Sequence, residues 1–172
     1  MFNLRKSKGF TLVEIMIVVA IIALIAAIAI PNLLRARHNA NETAAIGNMK
    51  TLVDSLESFR ANQAPTTYPG AGVVSGAVAV AGLAGLSNTV PPYIDAVLAA
   101  GTRQGFTFTY TAGPVRVVAI NGANFNVYDT YTLTANPVTP GTTGTRGFFV
   151  DQSGVIRVAP IAPANAASVP LE

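Results

Sequence analysis

From Phe10 to Ile30 only Thr11 and Glu14 interrupt an otherwise apolar run. A helix needs about 20 such residues to cross the hydrocarbon core of a bilayer, so this run is long enough to span. The segment before it, Met1 to Gly9, is short and polar, with Arg5, Lys6 and Lys8. Positive charge beside a span is held on the cytoplasmic side, which places everything after Ile30 across the membrane. A secretory signal is the competing reading. It has an apolar core of about 7–15 residues and a small-residue cleavage site after it. Here the run is longer and no such site precedes Pro31, so a retained span over residues 10–30 is expected.

The same segment explains the composition. Apolar residues make up 51% of the chain and charged residues 11%, against roughly 25% charged in soluble domains. The net charge of +3 comes from the leader: without Arg5, Lys6 and Lys8, eight basic side chains face eight acidic ones. After Gln63, Arg103, Arg116, Arg146 and Arg157 balance Asp95, Asp129, Asp151 and Glu172. That part has no basic footprint for phosphate, so a nucleic-acid partner is not expected. With no cysteine, the chain has neither a disulfide nor a thiolate site.

Glu14 is the costly residue of the span. A carboxylate at mid-membrane costs roughly 2.5–3.5 kcal/mol on insertion scales. Either it lies near the cytoplasmic interface and reaches water, or it meets a cationic partner in an assembled state. The residues alone leave both open.

Lys8-Gly9-Phe10-Thr11-Leu12-Val13-Glu14, followed by the apolar run, resembles the processing site of class III signal peptides in type IV pilins and type II secretion pseudopilins. The motif covers Lys8 to Pro31, and helix patterning extends the resemblance to about Asn62. The resemblance implies that a prepilin peptidase cuts between Gly9 and Phe10 and methylates the new amine, making Phe10 N-methylphenylalanine. It implies that Glu14 neutralises the N-terminal amine of an adjacent subunit. It also implies a kink at Pro31, before which the family often has a glycine and its helix melts in filaments. This chain has Ala23 where that glycine is common.

The function so implied is that of a structural pilin, with no catalytic residue and no cofactor. It would sit as a single-pass protein in inner-membrane lipid, then join a homo-oligomeric extracellular pilus through an inner-membrane assembly platform. Roles in adhesion or motility would belong to that pilus. A pseudopilin of a type II secretion system is the alternative. An enzyme or receptor tethered by its helix is a third class.

The fold class expected is α+β: one long N-terminal helix over 10–62, packed under a small antiparallel sheet in a head over 63–172. Ala45, Met49, Leu52, Leu56 and Phe59 recur at three- and four-residue steps and form one apolar stripe. Arg35, Arg37, Glu42, Lys50, Asp54, Glu57 and Arg60 fall on other positions, and His38 reads as a solvated helix residue. Pro65 and the turn-rich residues after it end the helix. Tyr68 to Val90 reads as a connection, its glycines weakening the alternative of a second span. A short helix is expected from Pro91 to Ala100, capped by Gly101. Strands are expected over 106–110, 115–120 with an Asn121-Gly122 turn, and 125–135. A last hairpin joins 147–150 to 155–158, and the tail with Pro160, Pro163 and Pro170 is expected to be irregular.

Chemistry is hard to place in this head. It has no histidine to serve as base for Ser153, so a serine triad is not supported. Gly141, Gly144 and Gly147 lack the Gly-Lys-Ser/Thr of a phosphate loop. Asp151 is a turn-forming residue by this reading; calcium would need several oxygen ligands, and no acidic cluster is present.

Overall fold

The computed structural model describes residues 9–70, 73–75, 78–160 and 164–171. The leader up to Lys8, Gly72, Gly76 and Pro163 lie outside the described residues. Two compact units divide the chain, Met1–Arg37 and His38–Glu172.

Helix α1, Leu12–Ala61, supplies the described helical part of the first unit and the spine of the second. It includes Pro31 as a helical residue, although proline has no N–H to donate to the carbonyl of Ala27. In the first unit α1 keeps its apolar side chains outside: Leu12, Val13, Ile15, Ile22, Leu24, Ile28, Leu33 and Leu34 are all exposed. Its most apolar window has a mean hydropathy of 3.1 and no buried residue. It is the one helix among the described residues long and apolar enough to cross a membrane.

In the second unit the stripe of α1 turns inward. Ala45, Met49, Leu52, Leu56 and Phe59 are each at most 1% exposed. The helix ends at Ala61, where Asn62 Nδ2 donates to the Ser58 carbonyl at 2.9 Å.

The segment read as a connection carries a small hairpin, β1 (Val73–Ser75) and β2 (Val78–Val80), then helix α2 (Gly82–Ser87). Leu83 and Leu86 of α2 are buried in the core, which period counting across a glycine-rich stretch did not show. Helix α3 is shorter than the expected Pro91–Ala100 element and covers Ala96–Ala99. Asp95 caps it, accepting from Leu98 N–H at 2.6 Å, so the two prolines precede the helix. Gly101 follows at φ 77, where the chain needs a residue without Cβ.

The main sheet has six antiparallel strands: β3 (Thr102–Arg103), β4 (Phe106–Ala112), β7 (Tyr131–Pro137), β8 (Arg146–Asp151), β9 (Arg157–Pro160) and β10 (Val169–Pro170). Their spatial order is β10-β9-β8-β7-β4-β3. Alternation decides its inner face. Phe106 and Phe108 of β4 are buried while Thr107 and Thr109 are exposed, and Tyr131, Leu133 and Ala135 of β7 are buried. The register sets Phe108 beside Ala135 and Leu133 beside Val150, and these residues share one core with the α1 stripe.

Two remaining strands, β5 (Val115–Ile120) and β6 (Ala123–Tyr128), form a ribbon of their own. The turn residues Asn121 and Gly122 have φ of 51° and 79°, the pair of positive values a two-residue hairpin requires. The expected strand over 125–135 is therefore two strands. Pairing stops where Asp129-Thr130 lies opposite Gly113-Pro114. Arg116 holds Asp129 there with bonds of 2.7 and 2.9 Å, while the Thr130 carbonyl accepts from Gly113 N–H at 2.8 Å.

The last hairpin forms, but its second strand starts at Arg157, after a turn closed by Gly154 at φ 72. The tail is not wholly irregular. Val169 and Pro170 pair with Val158 and Arg157, and Leu171 N–H donates to the Ile156 carbonyl at 2.8 Å.

Candidate assembly site

The first site lies at the start of α1. Thr11 is a β-branched hydroxyl residue placed three positions before a glutamate, the arrangement that satisfies helix-start N–H groups reciprocally. Thr11 N–H and Thr11 Oγ1 each donate to Glu14 Oε2 at 2.9 Å, and Glu14 N–H donates back to Thr11 Oγ1 at 3.2 Å. Glu14 thus has an in-chain role that neither sequence reading contained, although Thr-x-x-Glu before an apolar run is a legible signature of it. Its Oε2 is engaged, which leaves Oε1 for another donor.

Phe10 beside it is 84% exposed, and among the described residues a Cβ built on Gly9 would meet nothing within 4 Å.

The second site is Glu42, which the sequence placed off the apolar stripe and the structure buries to 2% exposure. Its Oε1 accepts from Thr145 N–H at 2.8 Å, Thr145 Oγ1 at 3.0 Å and Arg146 N–H at 3.2 Å; its Oε2 accepts from Arg146 Nε at 2.7 Å. Arg146 Nη2 stands 2.7 Å from the same Oε2. Burial alone pushes this carboxyl up, but the donors of Thr145 and Arg146 outweigh it and hold the pKa below its ordinary value. One residue earlier Asn41 Nδ2 donates to the Thr143 carbonyl, and six residues later Asn48 Nδ2 donates to Gln104 Oε1, between β3 and β4. Asn41 and Glu42 thus clamp the loop before β8. A carboxylate facing partners more than one hundred residues away leaves no periodic trace.

Gly144 lets this clamp close. A Cβ there would come within 2.6 Å of the Phe106 ring and 3.5 Å of Glu42 Cγ. Phe106 is fully buried and has no room to yield. Gly144→Ala is expected to cost about 1–3 kcal/mol by overpacking, read as a lower denaturation midpoint at unchanged slope.

The other residues singled out take ordinary roles. Asp151 Oδ1 accepts from Ser153 N–H at 2.9 Å, an Asx turn. No group of three or more His, Asp or Glu able to hold a metal occurs among the described residues. His38 is half-buried on α1.

The first site lies in the part of the chain that is similar to known proteins. Residues 4–30 match the family model of the prokaryotic N-terminal methylation motif. The N-terminal segment of this chain is similar to that of type IV pilins and type II secretion pseudopilins. Among the relatives of this pilin-like chain is the type IV wide pilus major component PilA4 of Thermus thermophilus. The two are 42% identical over 72 residues, 42% of this chain and 55% of the relative. The type IV major pilin protein PilA of Myxococcus xanthus is 48% identical over 58 residues, 34% of this chain and 26% of that one. The type II secretion system core protein G of Vibrio cholerae is 35% identical over 72 residues, 41% and 49% of the two chains. The pilin-like chain spans about half the length, or less, of these curated relatives. No solved structure matches it.

Proposed function

We propose that this chain is a structural pilin subunit that polymerises through its N-terminal helix into an extracellular type IV pilus. The methylation motif at residues 4–30, continuous with an apolar helix whose side chains are exposed, carries this reading. Such a helix needs lipid or other copies of itself around it. In this reading a prepilin peptidase removes the leader after Gly9 and methylates Phe10. Glu14 then uses its free Oε1 to hold the amine of a neighbouring Phe10. Pro31 weakens the helix where it can bend or melt during assembly at an inner-membrane platform. Before assembly the subunit is anchored by one span, its head across the membrane.

A pseudopilin of a type II secretion system is the second reading, supported by the likeness to core protein G. The greater identity to the two pilus components favours the pilus.

Filaments sheared from intact cells should contain this chain, and its mass should correspond to a first residue of N-methylated Phe10. A mature chain starting at Met1, or beyond Pro31, would sink the processing scheme. Its absence from surface filaments, with presence in the envelope, would favour the pseudopilin.

A further inference from the structure

We infer that the outer edge of β5 is a strand-pairing surface for a second copy of this chain in the filament; this rests on the pilin reading. The six-stranded sheet protects both its ends. At one end β3 has two residues; at the other β10 has two residues and ends in Pro170. Short strands, charge and proline are the usual guards of a sheet edge. β5 lacks the first and the last of these. It is six residues long, without proline, and its one charge, Arg116, is neutralised by Asp129. Lysine, a common edge guard, does not occur after Lys50.

Hydrogen-bond alternation shows which groups face outward. A two-residue Asn121-Gly122 turn makes Ile120 and Ala123 a bonded pair, so Val118–Phe125 and Arg116–Val127 are bonded too. The intervening residues Val115, Val117 and Ala119 point their N–H and C=O groups away from β6. Tyr128, opposite Val115, confirms this phase. Its N–H donates to Thr67 Oγ1 at 2.8 Å and its carbonyl accepts from Tyr68 N–H at 3.0 Å, both outside the ribbon. The edge of β6 is thus occupied at Tyr128, whereas among the described residues β5 pairs with β6 alone. Val115 and Val117 stand beside that edge with 53% and 58% exposure. A strand added there gains backbone bonds and covers both valines. The partner is a second copy because the proposed polymer brings heads together at high local concentration, and a ribbon without unpaired charge selects no charged ligand.

Amide hydrogen exchange on sheared filaments and on the detergent-solubilised mature subunit tests this. Val117 and Ala119 amides should exchange about tenfold or more slowly in filaments, with Val118 protected in both states. Val117→Pro removes an outward N–H and leaves the β5–β6 bonds intact. It should keep the subunit's folded circular dichroism and reduce filament yield about tenfold. Equal exchange of both amides in filament and subunit overturns the inference, as does normal assembly of a folded Val117→Pro. Protection that requires a different protein in the preparation overturns the second-copy assignment. Filaments lacking this chain altogether identify the pilin reading as the failure, before any exchange is measured.

Discussion

Cells carrying Glu14→Ala should make few or no filaments while mature subunit accumulates in the membrane. Insertion should persist, since losing the charge makes the span more apolar. Cleavage after Gly9 should persist because Gly9 and Phe10 are untouched. In the proposed assembly what is lost is the partner of the Phe10 amine, and an uncompensated buried charge costs about 3–5 kcal/mol. The structure adds a competing explanation, because Glu14 also caps its own helix through Thr11. Glu14→Gln separates the two. Glutamine serves in a capping box as glutamate does, but it carries no charge. The charge-pair mechanism predicts that Gln fails like Ala. Wild-type filaments in Glu14→Gln would show that the cap, and not the charge, is what assembly needs. A blot for cleavage and electron microscopy for filaments, on the same cells, give both readings.

Glu42→Ala should destabilise the second unit by about 3 kcal/mol. Two backbone N–H groups and the Thr145 hydroxyl lose their acceptor, and a buried donor left unsatisfied costs about 1–3 kcal/mol. Arg146 is 45% exposed and rehydrates, so its own loss adds little. The sign of the pH dependence follows from the lowered pKa of Glu42. Its contribution is fully present above the ordinary value of 4.5 and disappears as pH falls through the lower folded value. The stability gap between wild type and Glu42→Gln, from thermal melts in detergent, should be widest near neutrality and close in acid. A gap that stays constant down to the acid limit would show that the carboxylate charge is not what holds the loop before β8.

Much of this protein is local and therefore written in its sequence. The exposed apolar half of α1, the Thr11–Glu14 cap, the stripe from Ala45 to Phe59, the alternation of β4 and the turn at Asn121-Gly122 each arise from neighbours within about one turn or one hairpin. Tertiary structure decided the rest. The run from Phe125 to Ala135 has no glycine or proline to break it, and it reads as one strand. It breaks because Asp129-Thr130 lies opposite Gly113-Pro114, while Thr67 and Tyr68 take the backbone of Tyr128. The tail forms β10 because β9 offers it a free edge. Glu42 is polar and off the stripe by periodicity, yet it is buried, because donors from the loop before β8 compensate its desolvation. Periodicity reports which residues share a face; only the folded chain brings distant backbone groups close enough to capture a strand or bury a charge.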